Sequence, residues 1–258
     1  MNTLIKPAAT VILMRDTDDG FEIFMVKRSP RGAFGSLHVF PGGTLDPEDS
    51  SPILLQHCEG LSDIEASKKL GLSSGGLAYW IATIRECFEE VGILLTHQND
   101  PLLKDTSKLM EYRDQLNNKE ITFQQICEAE NLTLRANNIV PCAHWITPVF
   151  EPKRFDTRFF LVKVDSLQAG SHDGFELTDS FWISPTDALD KMHQGEMNMI
   201  LPTIHTLTML AVFSNSQEAF DDFNSKKDAD IPAILPKFVK KDDEWLTFLP
   251  GEDGYAEA

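Results

Sequence analysis

Two apolar runs rich in β-branched residues, "AATVILM" at 8–14 and "FEIFMVKR" at 21–28, flank the polar stretch "RDTDDG" and predict a hairpin closed by an Asp-Gly turn. From Tyr79 to Leu95 the pattern changes period. In "YWIATIRECFEEVGILL", Ile81, Ile84, Phe88 and Val91 recur at steps of three, four and three, which predicts one apolar face of a helix. At about 100° per residue, Glu86, Glu89 and Glu90 lie on nearly the opposite face, and Gly92 sits where a left-handed cap would end the helix. Further on, "NLTLRANNIVPCAHWITPV" and "FDTRFFLVKV" read as strands. "DSFWISPTDALDKM" reads as a strand followed by a helix capped near Ser184 or Pro185, and "LPTIHTLTMLAVF" as a C-terminal helix. Strands and helices mix without regular alternation, which favours an α+β or sandwich arrangement over a doubly wound parallel sheet.

Composition narrows this picture. The 258 residues, 42% of them hydrophobic, suffice for one large domain or two small ones. A net charge of −17 argues against nucleic acid or an anionic membrane as the main partner, because either meets a repulsive field. A small anion remains compatible through a local cation or metal. Cys58, Cys87, Cys127 and Cys142 are widely separated and fit neither a zinc site nor a disulfide framework, so reduced thiols are expected. The first apolar run is too short for a membrane span, and the final "GYAEA" does not match an S-K-L-type address, so the cytoplasm is the default location. The acidic "RDTDDG" is not a calcium loop, since Gly20 comes one position early and the terminal Glu is missing. Residues 49–76 and 97–138 are the most linker-like segments.

The chemistry concentrates in two places. "HVFPGGTLDPEDS", residues 38–50, has the form of a phosphate-handling loop, and the helix at 79–95 carries three carboxylates on one side. An acidic helix face on its own is most often simply solvated. Together, however, "GGTLDPED" and "RECFEEVGI" resemble a split Nudix box. In that family's pattern a Gly is followed after five residues by Glu, and seven residues later by R-E-U-x-E-E-x-G-U, where U is bulky and apolar. Here Gly43 is followed at the right distance by Asp49, and Arg85, Glu86, Cys87, Glu89, Glu90, Gly92 and Ile93 match the second half. Between Asp49 and Arg85 lie 35 residues, an insertion of 28 relative to the family. A long surface loop tolerates this, since closure entropy rises only about 0.6 kcal/mol per doubling. With "VFPGG", "WITP", "RFDTRFF" and "FWISPTDAL", the chain from about Ala8 to Leu210 is similar to the Nudix subgroup with an interrupted box that includes peroxisomal coenzyme A diphosphatases and bacterial homologues.

The resemblance implies an α+β fold, a Nudix-type α/β/α sandwich with a mixed sheet. It implies a single domain over residues 1–258, with an insertion at about 50–78 acting as a lid or subdomain and a C-terminal helical extension at about 200–258. It implies a metal-dependent hydrolase of a diphosphate linkage in a nucleoside diphosphate derivative. Coenzyme A or acyl-coenzyme A is the expected substrate; ADP-ribose, NADH or a dinucleoside polyphosphate is the alternative, and a non-catalytic regulatory module a third reading. Glu86, Glu89 and Glu90, with the Gly43 carbonyl, would hold Mg²⁺ or Mn²⁺, hard cations that take oxygen ligands and keep several waters. Arg85 would orient a ligand carboxylate. The general base would come from the box or from a later loop, where Glu176 is the candidate. Gly42 and Gly43 allow close backbone approach, while Arg154 and Arg158 could hold phosphates by bidentate contacts. Arg28 and Arg31, with Lys27, form a cationic cluster before the Gly loop that could recognise a 3'-phosphate, although their spacing is shorter than in the family's coenzyme A signature. His38, His144 and Trp145 read as structural. The expected partner is a small nucleotide-derived molecule, with no nucleic acid and no membrane. A homodimer is compatible, and so is a peroxisomal location by analogy with the subgroup.

Overall fold

In the computed structural model, which describes residues 4–30, 35–97, 99–164, 177–227 and 230–256, strand β1 (Ile5–Thr17) turns through Asp18 and Asp19 into β2 (Gly20–Arg28). Thr17 pairs with Gly20, whose φ of +136° suits a residue without Cβ. The short strands β3 (His38–Val39) and β4 (Gly42–Thr44) pair with β2 and β1 respectively. A small parallel bridge joins β5 (Cys58–Glu59) to β6 (Leu134–Arg135). β7 (Ile139–Ile146) and β8 (Arg154–Lys163) form an antiparallel pair, and β8 runs parallel to β1. β9 (Leu177–Ile183) pairs with β2, and β10 (Ala233–Ile234) extends the far edge beside β7. The sheet is therefore mixed, with β1 in its middle.

Both faces of β1 are covered, which is why its sequence is a near-continuous apolar run and not an alternation. Ala9, Val11, Leu13, Phe24 and Val26 face α3 (Leu77–Glu86), where Trp80, Ile81, Ile84 and Phe88 are fully buried. Ile12, Met14, Ile23 and Met25 face the other helical layer, built from α6 (Pro185–His193), α7 (Leu201–Leu210) and α8 (Ser216–Ser225). This is the expected α/β/α sandwich. Among the described residues no helix is long and apolar enough to cross a membrane.

Three expectations change. The insertion is not an appended lid. Its helices α1 (Pro52–His57) and α2 (Asp63–Lys69), capped by Ser51 and Ser62, bury Leu54, Ala66 and Leu70 in the same core as α3. Gly76 packs so closely on Ser67 that an added Cβ would meet its backbone. Nor is 97–138 a linker: α4 (Thr106–Asn117) and α5 (Phe123–Glu130) bury Leu109, Leu116, Phe123 and Ile126. Lastly, the C-terminal segment is helical only through Ser225; beyond it come β10 and a ribbon of β11 (Lys237–Lys241) and β12 (Glu244–Phe248).

Candidate active site

The sequence places the acids on the helix face opposite the apolar stripe. That face packs against the β4 turn, so Glu86 and Glu90 are only 8% and 7% exposed and Glu89 is half-buried. After Glu86 the helix widens to π geometry over Cys87–Val91, then stops at Gly92 with φ 74° and ψ 13°, the left-handed cap expected there. The open carbonyls of this last turn are met from α4. Arg113, 4% exposed, donates from Nε to the Glu89 carbonyl at 3.0 Å and from Nη2 to the Glu90 carbonyl at 2.7 Å. Asn117 Nδ2 also donates to the Glu89 carbonyl, at 3.3 Å. A cation at a helix C-terminus is favourable. Arg113 stands in an ordinary amphipathic stretch with no motif around it, so nothing in the sequence marks it for this role.

Arg85 organises the acids. Its Nε and Nη2 donate to Asp49 Oδ1 and Oδ2 at 2.9 and 3.0 Å, its Nη1 to Glu86 Oε1 at 2.8 Å and Glu89 Oε2 at 3.1 Å, and its Nη2 to the Thr44 carbonyl at 3.1 Å. Asp49 is fully buried and also accepts from the Asp46 N–H, so it anchors the short turn after β4 as well as the arginine. Burial works against the Arg85 charge, but Asp49, Glu86 and Glu89 outweigh it and raise its pKa. Burial lifts the Glu86 pKa to about 7 against the pull of Arg85, with Glu89 and Asp49 adding to the rise. Glu89 is raised in the same way.

The Gly-Gly turn completes the arrangement. The Gly42 N–H donates to Glu90 Oε2 at 2.8 Å. A Cβ on Gly43 would lie 2.6 Å from the Glu86 carboxyl carbon, so the absence of a side chain leaves the room this acid occupies. A divalent cation fits these residues by two tests: the donors are all hard oxygens, and the carboxylates are desolvated beyond what Arg85 neutralises. Among the described residues no three acidic, His or Cys side chains are gathered at metal-ligand spacing. Glu86 and Glu89 would turn from Arg85 Nη1 to a cation.

The sheet brings in one more arginine. Arg158 pairs with Ala9, which pairs with Gly43, so the three stand in one row across adjacent strands, on the α3 side. Arg158 is 8% exposed, with Nε 3.8 Å from Asp156 Oδ1, which in turn is 2.6 Å from His144 Nε2. Burial pushes the Asp156 pKa up, but His144 and Arg158 outweigh it and hold it low. Arg154 is not brought to this row. It pairs with Ile5, about 13 Å along the strand, and donates to the Thr147 carbonyl at 3.0 Å. Arg28 ends β2 on the wall of a cavity that also touches Gly42. Arg31 and Glu176 lie outside the described residues.

An acidic helix held by its own arginine against a Gly-Gly turn, on one face of a mixed sheet that helices cover on both sides, defines a Nudix hydrolase domain. The fold matches the crystal structure of a NUDIX hydrolase from Alicyclobacillus acidocaldarius with a TM-score of 0.67 and 25% identity, covering 86% of this chain and 97% of that one. The chain belongs to the NUDT19 Nudix domain family, whose model matches residues 62–210, more than half of its length. It is 26% identical to the acyl-coenzyme A diphosphatase NUDT19 of Xenopus laevis over 98% of this chain and 76% of that protein. It is 25% identical to the Gallus gallus protein of the same name over 92% and 73%. Members of the Nudix class generally need divalent metal ions.

Proposed function

We propose that this protein hydrolyses the diphosphate of coenzyme A or acyl-coenzyme A, releasing a 3',5'-bisphosphate nucleotide and a phosphopantetheine fragment. The observation that carries the reading is the trio Glu86, Glu89 and Glu90, the first two held by Arg85 and the third by the N–H of Gly42. The names of the relatives supply the substrate class.

A diphosphate is an anion that repels a nucleophile, so its hydrolysis needs charge neutralisation and an activated water. Mg²⁺ or Mn²⁺ would supply both, and the three glutamates and the Gly43 carbonyl are the groups that would hold it. The remaining work falls to the chain. Arg85, fixed by Asp49, holds the Glu86 and Glu89 carboxylates together beside the Gly-Gly turn. Arg158, one strand beyond Ala9, offers a guanidinium for a phosphate oxygen. Glu89, more exposed than Glu86 and raised in pKa by burial, accepts the proton of the attacking water at its carboxylate. Glu176 is the other candidate for that role, and Arg28 and Arg31 are candidates for the 3'-phosphate.

The test is a hydrolysis screen of coenzyme A, acyl-coenzyme A, dephospho-coenzyme A, ADP-ribose, NADH and dinucleoside polyphosphates with Mg²⁺ and with Mn²⁺. The expected result is the highest kcat/KM for coenzyme A or its thioesters, with dephospho-coenzyme A poorer. Faster cleavage of ADP-ribose than of any coenzyme A compound would overturn the substrate assignment. Comparing Glu89→Gln with Glu176→Gln in both kcat and metal affinity separates the proton acceptor, which lowers kcat at saturating metal, from a ligand, which weakens metal binding.

A further inference from the structure

Asp156 and Arg158 are two positions apart on β8, so both point to the side of the sheet on which Phe160 and Val162 join the α3 core. His144 is the direct partner of Arg158 on β7. Asp156 itself pairs with Ile146, so His144 reaches it diagonally across the strands, with Nε2 2.6 Å from Oδ1. The same Oδ1 lies 3.8 Å from Arg158 Nε, so one carboxylate oxygen stands between an imidazole and a guanidinium. Burial alone would push the Asp156 pKa up. Because its two neighbours hold it low instead, the carboxylate is ionised, accepts only, and takes its hydrogen bond from a proton on His144 Nε2. Tyr79 borders the group from α3, where it is buried two helical turns before Glu86 on the same face. Burial raises the Tyr79 pKa; the charge of Asp156 adds to the rise and that of Arg158 opposes it.

Stability does not account for this group. His144 and Arg158 are buried, and a buried ion pair is often no more stabilising than apolar side chains of the same volume. The neighbours Ala9, Phe160 and Val162 on this face are apolar. We propose that Asp156 and His144 are positioning residues for the phosphate contact of Arg158. His144 anchors the carboxylate, the carboxylate fixes the Nε edge of the guanidinium, and the Arg158 charge is held in the row it shares with Ala9 and Gly43. The residue between Arg158 and Gly43 in that row is Ala9, whose side chain is a single methyl. The assignment rests on the phosphate role given to Arg158 above. A long side chain loses rotamer freedom when it is held, and a guanidinium fixed before the phosphate arrives has already lost it. The carboxylate carries the wrong charge to attract a phosphate, so its effect belongs to geometry and appears in kcat more than in KM.

The experiment measures kcat and KM of the full chain for the best substrate of the screen above, in Asp156→Asn, Arg158→Ala and the double variant. Asp156→Asn should lower kcat about tenfold, with KM within about twofold. In the Arg158→Ala background the same change should have no further effect beyond about twofold, because the residue through which Asp156 acts is gone. His144→Gln keeps an amide N–H donor and should retain kcat within about twofold, whereas His144→Leu, which has no donor, should resemble Asp156→Asn. Melting temperatures near wild type in Asp156→Asn and His144→Gln tie these changes to the site and not to unfolding. Wild-type kcat in Asp156→Asn, or a loss that persists in full without Arg158, would overturn the proposal. A His144→Gln variant as impaired as His144→Leu would remove His144 from it. Wild-type kcat/KM in Arg158→Ala would overturn instead the phosphate role beneath it.

Discussion

Arg85 grips Asp49 through two parallel hydrogen bonds, Nε to Oδ1 at 2.9 Å and Nη2 to Oδ2 at 3.0 Å, across 36 positions of sequence. This pair closes the interrupted box. It ties the turn after β4 to the acidic helix, whatever the chain does between them.

Removing the anion from that pair leaves a buried guanidinium short of a partner. Asp49→Ala should therefore cost about 3–5 kcal/mol of folding stability. The carboxylate also accepts from the Asp46 N–H, so part of the loss is the turn itself. Urea denaturation measures it, and a loss under about 1 kcal/mol would show that Asp49 is not the anchor described.

The two glycines should respond differently to the same substitution. At Gly43 the three atoms nearest an added Cβ all belong to the Glu86 carboxylate, and φ is not positive, so Gly43→Ala should fold normally and displace the acid. Turnover should drop about a hundredfold, as when a catalytic group moves by an ångström. At Gly42, with φ +150°, the added Cβ meets the backbone of Ala9 and Thr10. Gly42→Ala should lose roughly 1–3 kcal/mol of stability. Melting curves and steady-state rates on both variants separate the two effects.

The raised pKa of Glu86 makes the metal-free protein sensitive to pH. Folding lifts this carboxyl from 4.5 to about 7. Its contribution to stability is full below pH 4.5 and is lost as pH rises through 7, amounting to no more than about 3 kcal/mol. Glu86→Gln should therefore match wild type near pH 5 and exceed it in stability near pH 8, in the presence of EDTA. With metal the sign reverses, because a ligand carboxylate must be ionised: apparent affinity should rise with pH through 7, and binding should release a proton. Calorimetry in buffers of different ionisation enthalpy detects that proton. Equal pH dependence in both proteins would refute the assignment to Glu86.

Shortening the insertion should be far from neutral. Replacing residues 51–75 with a seven-residue linker removes Leu54, Ala66 and Leu70, all within 2% of full burial. Leu54→Ala and Leu70→Ala alone should each cost about 2–5 kcal/mol. Loss of cooperative unfolding in the shortened chain is the expected result. A shortened chain that unfolds with wild-type stability would show that the insertion is dispensable to the core.

Much of the architecture was legible because it is written in local pattern. The β1–β2 hairpin follows from two apolar runs around an acidic turn, and the acidic helix and its Gly92 cap follow from one apolar stripe and one left-handed residue. The matching halves around Gly43 and Arg85 were recognisable although the residues between them were displaced, because the motif is a pattern of residue types. Local pattern misleads where a segment's fate depends on what covers it. The polar composition of 49–76 and 97–138 looked linker-like, yet spaced leucines, phenylalanines and isoleucines there find one shared core.

The sequence by itself determined which residue types stand together: three glutamates at helical spacing, an arginine beside them and a Gly-Gly turn, since side-chain type and spacing along a helix are local properties. Only the tertiary structure decided that the acidic face is buried, that Asp49 closes onto Arg85, that Arg113 caps the helix carrying the acids and that Arg158 stands in the row of Gly43. Each of these depends on which surfaces the sheet and the inserted helices bring together. Desolvation, which lifts the Glu86 pKa toward 7, is a property of that surrounding packing and not of the glutamate.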